Sequence, residues 1–218
     1  MGDLRLIVKA GNHNRKYCPL SADFKLTEKE KQYVFLLDAE TGKRVPSQLS
    51  FLEDPSRVRV HWILDSLGKG EERVYMAEFA REPQEISAAK SVTVKEETED
   101  RVNAYIGGNL FITYNFGENV TRPFVYPVYG PGGRLVTRSF PMVKDIPGET
   151  KDHPHHCSLW TAHGDVNGVD NWSESANCGR IVHQSFRNLA SGPVYAEIAS
   201  GSNWVSHEGE KVLEEERR

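Results

Sequence analysis

The chain has 218 residues, 38% of them hydrophobic and 27% charged, with a net charge of −4 and a pI near 6.1. That is enough for one large domain or two small ones with a real core. No Lys/Arg run marks a nucleic-acid surface and no apolar run approaches the ~20 residues that span a bilayer, so neither nucleic acid nor membrane is an expected partner.

The N-terminal "MGDLRLIVKAG" lacks a charged region followed by an apolar one, so no secretory signal is read. Cys18, Cys157 and Cys178 are odd in number and widely spaced, which argues against a disulfide framework. A cytoplasmic location is the resulting expectation. Asn119-Val-Thr and Asn171-Trp-Ser match the glycosylation pattern, which has little weight without such a signal.

In chain order, "LRLIVKA" reads as a strand and "SADFKLTEKEKQ" as a helix candidate without a convincing apolar stripe. "KQYVFLL", "VRVHWIL" and "ERVYMAEF" follow as strands. In the second of these, Val58, Val60, Trp62 and Leu64 alternate with Arg59, His61 and Ile63, the period of a half-buried strand. Turns are expected at Glu40-Thr-Gly and Gly68-Lys-Gly. The polar stretch at residues 80–91, "AREPQEISAAKS", reads as a break.

Beyond it, "SVTVKEE", "NLFITYNF", "GRIVHQSF" and "PVYAEIA" are again strands, with Leu110, Ile112, Tyr114 and Phe116 on one face. Gly107-Gly108-Asn109, Gly130-Pro-Gly-Gly and Ser191-Gly-Pro supply turns. The tail "GEKVLEEERR" is a second helix candidate, but with the preceding "GSNWVSHE" it also reads as strand, turn and the start of another strand. The expectation is an all-β chain: a small β-sandwich-like module over residues 1–82, and a second β domain over 91–218 that is incomplete at its C-terminal end.

The stretch "DHPHHCSLWTAHGDVNGVDNW", Asp152 to Trp172, holds four of the chain's eight histidines. If extended, it points His153 and His155 to one side and His156 to the other. A turn between Gly164 and Gly168 could return His163 toward them. At least two of the four rings are expected in one pocket, with an aspartate in reach of one. Three readings stay open. Imidazoles with a carboxylate are metal ligands, with His153, His155 and His163 as the set and Zn or Cu as the ion. They are also acid/base groups near neutral pH, with His153, His155, His163 and Asp165 as catalytic candidates. Or they satisfy their own loop.

Asp165, Asn167 and Asp170 resemble a calcium loop only loosely and fit an Asn-Gly turn better. Trp160 and Trp172 offer flat faces to a sugar ring or pack in a core. Upstream, Arg122, Tyr126, Tyr129 and Arg138 gather around a Gly-Pro-Gly-Gly turn, where they could bind carboxylates, phosphates or hydroxyls, or the arginines could equally pair within the structure.

Together, "RPFVYPVYGPGGRLVTRSFPM", "DHPHHCSLWTAHGDVNGVDNW" and "GRIVHQSF" resemble a bacterial family named PmoA, or "methane oxygenase". The N-terminal "VKAGNHNRKYCPLS" and "LLDAETGKRVPSQL" extend the resemblance over nearly the whole chain. The name borrows from a membrane-embedded copper oxygenase subunit, an activity not expected of a chain without a membrane span. The resemblance implies a β-sandwich of the galactose-mutarotase-like kind and a sugar, keto-sugar or oxidised sugar as the small-molecule partner. It implies functional roles for His153, His155, His156, His163, Asp165, Asn167, Asp170, Trp172, Arg122 and Arg138. Where Cys157 stands, relatives are expected to carry arginine. A non-catalytic sugar-binding module and a cupin-like metalloprotein are the alternatives.

Overall fold

In a computed structural model, residues 4–25, 33–54, 56–82 and 91–218 are described. Among them there is no helix, and the fold is all-β, with antiparallel sheets in a sandwich-like arrangement. The chain divides into two compact units, residues 1–91 with 192–195, and residues 92–191 with 196–218. The break read at residues 80–91 falls mostly on 83–90, outside the described residues.

The first unit contains β1 (Leu4–Lys9), β2 (Arg15–Lys25), β3 (Tyr33–Asp38), β4 (Arg44–Val45), β5 (Ser47–Phe51), β6 (Arg57–Leu67) and β7 (Glu72–Ala80). They form one sheet in the order β1-β7-β3-β4 and another in the order β2-β6-β5. The alternation in β6 has its physical outcome here. Val58, Val60, Trp62 and Leu64 are buried, while Arg59 and Ile63 face outward. Val34, Leu36, Tyr75 and Ala77 of one sheet meet Val60, Trp62 and Leu64 of the other in a single core. Trp62 and Tyr75 pack edge to face at 5.9 Å between centroids.

Asp38 caps the turn after β3, its Oδ1 accepting from the Glu40 and Thr41 amides at 3.1 and 2.9 Å. Residues 192–195 belong to this unit although they are distant in sequence. Gln48 Oε1 accepts from the amides of Val194 and Tyr195 at 3.2 and 3.1 Å.

The second unit contains β8 (Val92–Thr98), β9 (Arg101–Ile106), β10 (Asn109–Asn115), β11 (Phe124–Val128), β12 (Leu159–Trp160), β13 (Arg180–Ala190), β14 (Glu197–Val205) and β15 (Lys211–Arg217). The sheets run β12-β11-β10-β9-β8 and β13-β14-β15. Tyr114 on β10 and Ser200 on β14 join them through their hydroxyls at 3.1 Å, with both side chains buried.

Both helix candidates are corrected. Ser21–Lys25 is the end of β2, and residues 26–32 lie outside the described residues. The tail is the strand β15, paired with β14 from Ser200↔Arg217 to Val205↔Lys211. Ladder hydrogen bonds and the Trp204 Nε1–H donation to Glu215 at 2.8 Å override the helix propensity of its glutamates. As an edge strand, β15 carries mostly charged side chains, the usual protection against strand addition.

Candidate functional site

The histidine stretch is not extended, and that changes which rings meet. His153 has a positive φ of 47° and is followed by Pro154. The His156 amide donates back to the His153 carbonyl at 3.0 Å, closing a turn. The turn folds three imidazoles onto one another instead of sending His156 to the opposite side. His153 and His156 stack at 5.1 Å between centroids and 22° between planes. His155 meets His156 edge-on at 4.3 Å.

Two indoles complete the group. Trp160 is placed by pairing of β11 with β12, which sets it opposite Phe124. Trp172 lies 5.2 Å from Trp160 between ring centroids, and His156 sits 5.1 and 5.5 Å from the two indoles. Trp172 is 44% exposed, so part of its ring faces solvent.

Arg138 fixes the entry to this turn. It donates to Asp152 Oδ1 at 3.0 Å and to the His153 carbonyl at 2.7 Å. Its own segment is held by Glu149, whose carboxylate accepts from the amides of Ser139 and Phe140 at 2.8–3.0 Å. Arg138 thus positions the loop. Asp152 Oδ2 in turn contacts His153 Nδ1 at 2.7 Å. Hydrogen bonds from Thr150 first, then from His153 and Arg138, against a smaller opposing effect of burial, lower the Asp152 carboxyl to about 2. An ionised Asp152 accepts the Nδ1–H of His153, which leaves Nε2 as the ring nitrogen with the free lone pair.

His156 titrates below its ordinary value, first because its ring is desolvated and then because His155 and His153 are like charges when protonated. The Nε2 atoms of His155 and His156 are buried without a hydrogen-bond partner.

His163 stands apart from these ring contacts. Its Nδ1 accepts from the Asp165 amide at 3.2 Å and its carbonyl accepts from the Asn171 amide at 3.1 Å. The turn at Gly164–Gly168 forms, closed by the Val166↔Val169 bridge, but it builds its own loop. The set His153, His155 and His163 is therefore not assembled as metal ligands. Among the described residues no group of three His, Cys, Asp or Glu is arranged to hold a metal ion.

The remaining candidates are mostly spent on backbone. Asp165 Oδ1 accepts from the Gly168 amide at 2.8 Å. Asp170 Oδ1 accepts from the amides of Trp172 and Ser173 at 2.8 and 3.1 Å, and its other oxygen takes the Ser173 hydroxyl. The Ser173 hydroxyl, followed by these two amides, holds Asp170 below the usual carboxylate range. Asn167 (φ 54°) sits in the left-handed region, where asparagine is tolerated in a turn, and reaches the Val212 carbonyl at 3.4 Å.

Arg122 is 3% exposed and donates to the Ser173 carbonyl at 2.9 Å, with its guanidinium 4.8 Å over the Trp160 ring.

Sequence reasoning missed Glu149, Glu174 and Asn171. Glu149 holds the Ser139 amide from ten residues on and Glu174 lies 3.6 Å from Arg122 Nη1, so neither carries a local signal. The sequence marks Asn171 only as a glycosylation acceptor, yet it is fully buried. Gly179 leaves it room, since a Cβ there would stand 2.6 Å from Asn171 Oδ1.

The fold and this loop define an all-β protein with an imidazole–indole cluster on one sheet's irregular edge. The chain belongs to a family of unknown function, DUF6807, whose model matches residues 101–218, more than half of the chain and including the whole cluster. No curated protein and no solved structure matches the chain.

Proposed function

We propose that the 152–172 loop binds a sugar or keto-sugar, and that the Asp152–His153 pair performs acid/base chemistry on it. The observation that carries this reading is the ionised Asp152 hydrogen-bonded to His153 Nδ1 at 2.7 Å, beside a pair of indoles of which one is partly exposed. An indole face covers the C–H face of a sugar ring, while imidazole nitrogens exchange protons with hydroxyls. The resemblance to mutarotase-like proteins points the same way.

In such a reaction His153 Nε2 takes the proton of the anomeric hydroxyl, and His155 gives one to the ring oxygen through Nδ1, its Nε2 being buried, as the ring C–O bond breaks. Reclosure on the other face returns both protons. The His153 and His155 ring centroids are 5.9 Å apart, a spacing that lets the two rings address adjacent oxygens of one sugar. A non-catalytic sugar-binding module would use the same surface without the proton steps. The cupin-like metalloprotein has less support, because the candidate ligands do not converge.

Tryptophan fluorescence titration against a panel of aldoses and ketoses tests binding, and polarimetry of freshly dissolved sugar tests turnover. The reading expects quenching by at least one sugar and faster anomer exchange, with His153→Ala keeping the first and losing the second. Binding without exchange selects the binding module. No quenching by any sugar at millimolar concentrations sinks both.

A further inference from the structure

Arg122 is a buried cation with donors to spare. Its side chain is 3% exposed, and Glu174 Oε1 lies 3.6 Å from Nη1, beyond hydrogen-bond length. Nε and Nη1 have no hydrogen-bond partner. A guanidinium presents five N–H donors and keeps its charge, so burying it half-satisfied is unfavourable unless an acceptor arrives. Burial works against this charge, and Glu174 is the first group that works for it.

A cavity of about 600 Å³ lies beside it, walled among others by Thr121, Cys157, Glu174, Phe140, Lys144 and Lys151. Thr121 precedes Arg122 in the chain, Glu174 is its ion-pair partner, and Cys157 is within electrostatic reach of the guanidinium. The charged groups at the cavity are therefore Lys144, Lys151, Asp145 and Glu174, with Arg122 behind the wall. Lys151 is held by Asp145 at 2.6 Å. That leaves Lys144 and Glu174 as the charges on the cavity wall without a hydrogen-bonded ion pair, and Glu174 as the one that reaches back toward Arg122. Pro154 and Cys157, which flank His155 and His156 in the chain, also line the cavity.

We infer that this cavity takes a small carboxylate-bearing ligand, whose carboxylate displaces Glu174 and bonds the unpartnered donors of Arg122. Glu174 is the intramolecular stand-in. Its side chain is 39% exposed and reaches Nη1 only loosely, so it leaves without breaking a hydrogen bond. The charge-assisted bonds that replace it are the strong kind a guanidinium makes with carboxylates. Combined with the sugar-binding reading, on which the choice of ligand class rests, the ligand is a sugar acid.

The test uses thermal shift and calorimetric titration of the whole chain with glucuronate, its neutral amide, glucose and acetate. The expected result is that glucuronate binds at least about tenfold more tightly than its amide or glucose, the scale of one charge-assisted bond. Equal binding of glucuronate, amide and glucose overturns the carboxylate site while leaving the sugar reading intact. Binding of acetate without any sugar keeps the carboxylate site and removes the sugar reading. Binding of none of them overturns both.

Arg122→Gln is expected to abolish the preference for glucuronate over its amide. Because that variant removes a buried residue, Glu174→Gln provides the second arm. It removes the competing carboxylate and is expected to tighten glucuronate or acetate about threefold, the size of a partly exposed ion pair. Unchanged or weaker binding in Glu174→Gln counts against the displacement.

Discussion

Asp165 Oδ1 accepts the backbone N–H of Gly168 at 2.8 Å. A carboxylate that the sequence offers as a catalytic group is thereby used to close the turn that carries Asn167 and Gly168, both at positive φ. The neighbouring Asp170 does the same for Trp172 and Ser173. Of the three aspartates in the loop, only Asp152 contacts an imidazole of the cluster.

Asn can still accept the Gly168 bond and Ala cannot, so the two replacements of Asp165 separate structure from chemistry. Asp165→Asn should retain stability, sugar binding and any turnover. Asp165→Ala should lose about 1 kcal/mol, the net worth of one hydrogen bond, measured by urea unfolding. A loss of turnover in Asp165→Asn with unchanged stability would return this residue to the catalytic list.

The pH dependence of Asp152 follows from its depressed value of about 2 against an ordinary 3.8. Its hydrogen bonds to Thr150, His153 and Arg138 favour the charged form, so their stabilisation is fully present above the ordinary value. It is lost as pH falls toward the folded one. Melting temperatures of wild type and Asp152→Asn should differ at neutral pH and converge between about pH 4 and 2. The gap is expected to be small because the pair is exposed. A gap that persists unchanged in acid would mean that the carboxylate charge contributes nothing to the turn.

How much of this was legible follows from range. The alternation of Val58, Val60, Trp62 and Leu64 names a buried face because side chains in a strand alternate with period two. The crowding of His153, His155 and His156 was equally visible, but their mutual arrangement was not. It depends on His153 adopting a positive φ, a choice enforced by Arg138 from fifteen residues upstream. The tail misled because glutamates favour helix locally, while the Trp204–Glu215 bond that holds β15 is a tertiary fact. The return of Val194 and Tyr195 to Gln48 is longer in range still, and no local pattern encodes it.

His156 should make the cluster acid-sensitive. Its folded value lies below the ordinary 6.5 through desolvation and then the charges of His155 and His153. As pH falls through 6.5 the unfolded chain takes up this proton before the folded one does, so stability declines below that point. His156→Gln keeps a polar side chain that cannot protonate. The variant's melting temperature should fall less steeply than wild type's between about pH 7 and 5. Parallel curves would show that His156 titrates normally in the fold.

Trp160 and Trp172 touch at 5.2 Å, yet their surroundings predict opposite outcomes on replacement. Trp160 pairs across from Phe124 in the sheet, and the buried Arg122 guanidinium rests 4.8 Å over its ring. Removing the indole leaves a void and takes away the face that covers this cation. Trp160→Ala should therefore destabilise the chain by about 3 kcal/mol, the low end for a large aromatic in a packed site. Trp172 is 44% exposed, and its backbone amide is held by Asp170. Trp172→Ala keeps that amide bond and should cost about 1 kcal/mol or less. If the indole face receives a sugar, the same variant should weaken binding about tenfold or more, since stacking contributes on the order of 1–3 kcal/mol in comparable aromatic platforms. Urea unfolding and fluorescence titration of the two variants check both halves. A Trp172→Ala protein that binds sugar as well as wild type would remove the exposed indole from the site.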